Sequence, residues 1–341
     1  MNKAILNFIA APVLGVMLGI GHGSAAAADI KERTIKYAVI YDLQHPHGLG
    51  AQKFADIVRQ RSDGKINVKI YPNAALGGEV PIISAIQGGT VEMSAMATSQ
   101  LVGVIKEFAA LDLPFLFNSP KEVDSVVDGP IGRKFLDKLP EKNIIGLSWF
   151  EHGFRNLTNS KRPVTKLEDM HGLKIRVEQN AVAIDTWNAL GTNAVPMPFP
   201  ELYTALEQKA VDGQENPYST VENSKFTEVQ KYLSITKHKY TPLILIVSKK
   251  FWDPLSNDEK KILQDAATEA AVYQRKVNRE LDEKYLQALK AAGMQISEIP
   301  APELAKIRAK TQPVVDKYSK QVGEALVKDL YAEIDKARKS K

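Results

Sequence analysis

Between Ser256 and Gly293 the sequence reads as one uninterrupted helix, and that segment constrains the fold more than any other. Ser256-Asn-Asp-Glu259 has the spacing of a capping box. Ile262, Leu263, Ala266, Ala270, Tyr273, Val277, Leu281, Tyr285 and Leu289 then follow at helical intervals to a glycine stop. A helix over 257–292 extends about 54 Å at 1.5 Å per residue, more than one small domain needs, so it is expected to brace two.

The rest of the chain supplies the two bodies. Strand-like alternation at 35–41, 66–71 and 91–97 encloses helical patterns at 49–61 and 80–87, which is a β-α-β-α-β run and hence an α/β layer. A further strand is expected at 144–150. After it comes a second run, with strands at 172–177, 194–196 and 210–212 and helices at 181–190 and 200–208. Strands at 232–239 and 243–248 follow, and Thr241-Pro242 between them reads as a crossover or hinge. Helices at 301–310 and 313–337 close the chain. The expected architecture is α/β and two-lobed, with 29–151 and 242–281 in one lobe, 152–241 and 282–341 in the other, and the long helix across both.

Charge and composition remove several classes of function. With 44% hydrophobic and 25% charged residues the chain can bury two cores. Its net charge of +5 is spread out, the one basic run being Lys336-Ala-Arg-Lys-Ser-Lys341, so no nucleic-acid partner is expected. The absence of cysteine excludes disulfides, thiolate metal sites and thiol nucleophiles. There is no Gly-x-Ser-x-Gly elbow, Walker loop, Gly-x-Gly-x-x-Gly turn or His-Glu-x-x-His helix, which argues against an enzyme. His45-Pro-His47 lacks a second ligand segment, and no metal or cofactor is expected. Residues 1–28 carry Lys3, an apolar stretch and Ser24-Ala-Ala-Ala-Ala28, the pattern of a cleaved secretory signal peptide. The protein is therefore expected in the periplasm.

Three polar positions fall where α/β domains bind anions, at strand ends and helix starts. Arg155 lies where the chain leaves the 144–150 strand, Arg176 ends Leu173-Lys-Ile-Arg-Val177, and Asn216 precedes Pro217 as an expected helix N-cap. By spacing alone each arginine reads as a surface ion pair before it reads as a carboxylate fork.

Longer phrases carry a resemblance. Gly153-Phe-Arg-Asn-Leu-Thr-Asn-Ser-Lys-Arg-Pro-Val164, Met170-His-Gly-Leu-Lys-Ile-Arg-Val177, Pro196-Met-Pro-Phe-Pro-Glu-Leu-Tyr203, Val211-Asp-Gly-Gln-Glu-Asn-Pro217 and Phe226-Thr-Glu-Val-Gln-Lys-Tyr232 resemble the periplasmic solute-binding proteins of TRAP transporters, the C4-dicarboxylate-type family. The resemblance spans essentially all of the chain after residue 28. It implies two α/β lobes closing on a carboxylate-bearing ligand and no chemistry on that ligand. It assigns Arg176 to grip the carboxylate, Arg155 to second it, Asn216 to assist, and Phe199 to form a wall. It places His238 near the pocket. Gln44, His47, Glu79 and Glu215, with Glu151 and Gln214, are polar candidates suited to a polyhydroxylated acid. The implied ligand is a sugar acid, a hexuronate such as glucuronate or galacturonate, handed by a monomeric receptor to a membrane permease. A C4-dicarboxylate or other small organic acid is the alternative, and a secreted α/β hydrolase the alternative of another class.

Overall fold

The computed structural model describes residues 29–340; the expected signal peptide lies outside them. One mixed sheet runs through the molecule. Its strands are β1 (Arg33–Ala38), β2 (Ile66–Tyr71), β3 (Met93–Ala97), β4 (Ile144–Asn159), β5 (Lys174–Val177), β6 (Asn193–Pro196), β7 (Gly213–Asn216), β8 (Tyr232–Ser248) and β9 (Gln295–Glu298). The order is β2-β1-β3-β8-β4-β7-β5-β6, with β9 beside β8. The principal helices are α1 (Pro46–Arg61), α2 (Glu79–Gly88), α3 (Pro120–Val127), α4 (Pro130–Leu136), α5 (Ala181–Ala189), α6 (Leu202–Glu207), α7 (Tyr218–Asn223), α8 (Asn257–Ala291), α9 (Ala301–Val322) and α10 (Glu324–Lys339). Among the described residues no helix is long and apolar enough to cross a membrane.

Each half of the sheet has its own core. Ile35, Tyr37, Phe54 and Val58 pack with Leu263, Ala266 and Ala270 of α8 around β1–β3. Leu157, Leu173, Ile175, Val177 and Trp187 form the core of the other half. The alanine face of α8 lets α1 come close: a Cβ on Gly50 would lie 2.8 Å from Gln274 Cγ and 2.9 Å from Phe150 Cε2. The capping box that begins α8 is present. Ser256 Oγ accepts from the Glu259 amide at 3.1 Å, and Glu259 accepts from the Ser256 amide at 2.9 Å. The same carboxylate receives Arg33 twice at 2.9 Å and the Lys31 amide at 3.0 Å, tying the start of β1 to the helix.

The halves are joined by β4 and β8, and here the structure corrects the sequence reading. β4 does not end at residue 150 but continues to Asn159, and β8 runs unbroken through Thr241-Pro242. Pro242 lies opposite Glu151, at a register shift between Glu151 and Gly153. A proline without an N–H is tolerated where a bulge already interrupts the ladder. Gly153 takes φ +110° at that bulge, a conformation that glycine alone adopts without strain.

Three boundaries also move. β7 occupies Gly213–Asn216, so the strand expected at 210–212 lies later, and Asn216 ends it with Pro217 as N-cap of α7. Asn216 is therefore not a helix cap. α9 runs through Pro313 and breaks at Gly323, φ +103°. Ala309 and Pro313 both face outward, where water can satisfy the carbonyl that Pro313 cannot. Finally, α10 was expected with the second lobe, yet Val327, Leu330 and Ile334 pack on Val123, Val126 and Ile131 of α3 and α4, in the first-lobe core.

Candidate functional site

The bulged crossing of β4 and β8 sits under a cavity between the halves. Tyr41, His47, Glu79, Gln100, His152 and Glu178 supply its polar lining. They arrive from different elements, His152 from the bulge inside β4 and the others from element ends and the segments after them. His47 is in the first turn of α1, which His45 caps by accepting the His47 amide at 3.2 Å. Glu79 opens α2, Gln100 follows β3, and Glu178 directly follows β5. Tyr41 stacks on His45 at 4.1 Å between centroids and meets the Phe199 ring edge at 4.8 Å.

Behind this wall lies a buried ionic network. Arg155, 1% exposed, donates through Nε and Nη2 to the Glu215 carboxylate and through Nη2 to the Glu215 carbonyl at 2.6 Å. Its Nη1 has no hydrogen-bond partner and lies 3.8 Å from Oε1 of the cavity-lining Glu178. Burial works against the guanidinium charge, but Glu178 and Glu215 outweigh it and raise its pKa. Glu178 also accepts from Ser99 at 3.0 Å, Gln100 at 3.3 Å and Lys239 at 2.8 Å. Burial pushes this carboxyl up, yet Arg155 and Lys239 pull it down to about 2. Lys239 is shared with Asp112 at 2.8 Å. His238 sits between Thr236 Oγ1 at 2.8 Å and Glu215 Oε2 at 3.0 Å, and burial lowers its pKa despite the carboxylate.

Arg176, 2% exposed, is held differently. Its Nε and Nη2 donate to the Met197 carbonyl at 2.9 and 2.7 Å, and its guanidinium lies 5.8 Å from the Phe199 ring centre. No carboxylate pairs with it within 4 Å among the described residues. Burial lowers its pKa, with Glu79 opposing. The Glu79 carboxyl is raised by burial, against the pull of Arg176. It accepts one long bond, from the Phe199 amide at 3.4 Å.

Several bonds cross between the halves. Thr220 Oγ1 of α7 meets His45 Nε2 at 3.2 Å and His152 Nε2 at 2.7 Å. Asn180 caps α5 and also donates to the Ser99 carbonyl at 3.2 Å. The three histidines are buried, and burial is the main force lowering all three pKa values, that of His47 to about 3. His47 Nε2 is buried without a partner.

Of the residues singled out from sequence, His47, Glu79, Arg155, Arg176, Phe199, Glu215, Asn216 and His238 are brought to this region. Asn216 Nδ2 donates to Gln214 Oε1 at 2.6 Å. Gln44 is exposed and does not line the cavity. Glu151 is tied to α8 instead, accepting Asn278 at 3.0 Å and Arg279 at 2.7 Å. Sequence reasoning missed Tyr41, Gln100, Asp112, His152, Glu178 and Lys239. The one available signal was charge directly after an apolar strand, as at Glu178.

A family model described as bacterial extracellular solute-binding protein, family 7, matches residues 38–321. The sugar acid binding protein DctPAm of Advenella mimigardefordensis, solved in complex with galactonate, is 44% identical with a TM-score of 0.89, covering 91% of this chain and 100% of its own. A TRAP periplasmic solute binding protein of Chromohalobacter salexigens, solved with bound D-glucuronate, is 33% identical with a TM-score of 0.84, covering 88% and 99%. The C4-dicarboxylate-binding periplasmic protein DctP of Rhodobacter capsulatus is 33% identical over 91% of this chain and 95% of its own.

Proposed function

The chain belongs to family 7 of the bacterial extracellular solute-binding proteins, the periplasmic receptors of TRAP transporters, and on that premise we propose that it captures a sugar acid in the interlobe cavity and delivers it to its membrane permease. The family binds organic acids and carries out no chemistry on them, so the hydrolase alternative falls. The ligand class assigned here is a hexuronate such as glucuronate or galacturonate.

The observation that carries the reading is the pair of buried arginines beside the cavity. Arg155, paired with Glu215, has an unspent Nη1, and among the described residues Arg176 has no carboxylate partner. A buried guanidinium without an anion is costly unless a ligand supplies one. A carboxylate takes that place in this reading, flanked by Phe199 and Asn216. Glu79, His47 and Gln100 then face a hydroxyl-bearing chain. The polyhydroxy acids bound by the Advenella and Chromohalobacter relatives support the same assignment.

A thermal-shift panel of uronates, aldonates, C4-dicarboxylates and aromatic acids tests it, because a ligand selective for the folded state raises apparent stability. Uronates or aldonates are expected to give the largest rise in melting temperature. A rise with succinate or malate and none with any sugar acid overturns the reading in favour of a C4-dicarboxylate receptor.

A further inference from the structure

The cavity wall carries charge of one sign. Glu79 and Glu178 are the charged residues lining it, and its other polar groups, Tyr41, His47, Gln100 and His152, bring no positive charge. The nearby cations are largely committed elsewhere, Arg155 keeping one free Nη1. Lys239 lies between Asp112 and Glu178, each at 2.8 Å, and Arg155 holds Glu215. Arg176 alone gives its bonds to a neutral acceptor. Arg176 and Glu79 meet at Phe199, whose ring lies 5.8 Å from the guanidinium and whose amide bonds the carboxylate, while the cavity lining itself carries carboxylates and no cation.

The two wall carboxylates are not equivalent. Glu178 is saturated by Ser99, Gln100 and Lys239. Among the described residues Glu79 accepts one bond from another residue, at 3.4 Å from Phe199, so its oxygens retain capacity to accept from hydroxyl groups. A ligand with one carboxylate and a neutral polyol chain satisfies both Arg176 and Glu79. A first carboxylate takes Arg176, and a second would face Glu79 across a lining that holds no lysine or arginine; like charges brought together out of water are strongly disfavoured.

We propose that Glu79 is a charge filter that restricts this receptor to monocarboxylate sugar acids and rejects the dicarboxylates of the same carbon chain. The proposal rests on the sugar-acid reading above and sharpens it to the ligand's charge and functional groups. Aldonates and hexuronates pass the filter; aldarates and C4-dicarboxylates do not.

Calorimetric titration of matched pairs tests it: D-galactonate against galactarate, and D-glucuronate against D-glucarate. In the wild-type protein the monoacid is expected to bind at least about 100-fold more tightly than its diacid. Glu79→Gln removes the wall charge and keeps the shape, and is expected to bring that ratio below about tenfold. Where Glu79→Gln melts too low to titrate, Gln100→Lys puts a cation on the same wall and is expected to move the ratio in the same direction. A wild-type diacid within about threefold of its monoacid overturns the filter, as does a ratio unchanged in these variants. Either result leaves the sugar-acid reading standing. No binding by either monoacid, with binding by succinate, overturns both.

Discussion

Arg176 gives two parallel N–H groups to one carbonyl, that of Met197, which fixes the plane of its guanidinium. A lysine cannot reproduce a planar fork, since its ammonium is a point charge on a flexible stem. On the proposed role, Arg176→Lys is therefore expected to weaken binding nearly as much as Arg176→Ala. The loss for either is on the order of 2–5 kcal/mol, roughly 30- to 5,000-fold. Calorimetry that finds the lysine variant within a few-fold of wild type removes Arg176 from the carboxylate role. Glu259 makes a prediction about stability. Burial pushes its carboxyl up, but Arg33 and two backbone amides pull it down to about 2 from 4.5. A depressed carboxylate stabilises the fold above its unfolded pKa and loses that contribution as pH falls through the folded value. The contribution, on the order of 2–3 kcal/mol, should be complete above about pH 5 and disappear toward pH 2. Urea denaturation of Glu259→Gln should show the wild-type advantage at neutral pH and its loss in acid. Sequence reasoning reached Arg155, Arg176, Glu79 and His47 because they sit in phrases with a family likeness or at element ends. It missed His152, Glu178 and Lys239 because a single charge beside a strand looks the same whether it faces water or a buried partner.

The same contrast holds for elements. The long helix was legible to within a residue, since a capping box, a sustained period and a glycine stop all agree. The crossing was not. Thr241-Pro242 looks like a break locally, and only pairing with Glu151 across a bulge shows why the strand continues. At that bulge the helix replaces the missing ladder: Gln274, fully buried, accepts the Glu151 amide at 2.9 Å and donates to its carbonyl at 2.7 Å. Gln274→Ala would strand both backbone groups away from water. The expected cost is about 2–4 kcal/mol, read as a lower urea midpoint at unchanged slope. A variant as stable as wild type would show that water takes the place of the Gln274 amide.

At the scale of the molecule, groups that face the cavity come from both halves, so ligand is expected to favour the closed arrangement seen here. Solution scattering should show a smaller radius of gyration with ligand than without. Identical curves would contradict closure, whatever the ligand. The connection favours pivoting over melting: Arg275 holds the Trp149 carbonyl at 2.9 Å and Asp128 through two bonds of 2.7 Å, while Arg279 holds Asp124 and Glu151. Pulling the halves apart therefore bends α8 about these anchors and does not unravel it.

The Thr220 hydroxyl, which touches two imidazoles, has a further consequence because it owns a single proton. His45 Nδ1 accepts the His47 amide, so the neutral ring carries its hydrogen on Nε2 and donates it to Thr220 Oγ1. Thr220 then has its one proton free to donate to His152 Nε2 at 2.7 Å, an arrangement that makes His152 the opposite tautomer, with its hydrogen on Nδ1. The bonds that join the halves thus run in one direction, from α1 through α7 to β4. A proton added to His152 Nε2 would make both rings donors to the Thr220 oxygen and turn its own hydrogen away, ending the one-way run. Nitrogen-15 shifts of the two rings should report opposite tautomers in the closed protein, and the same tautomer in both would show that the chain of bonds does not run this way.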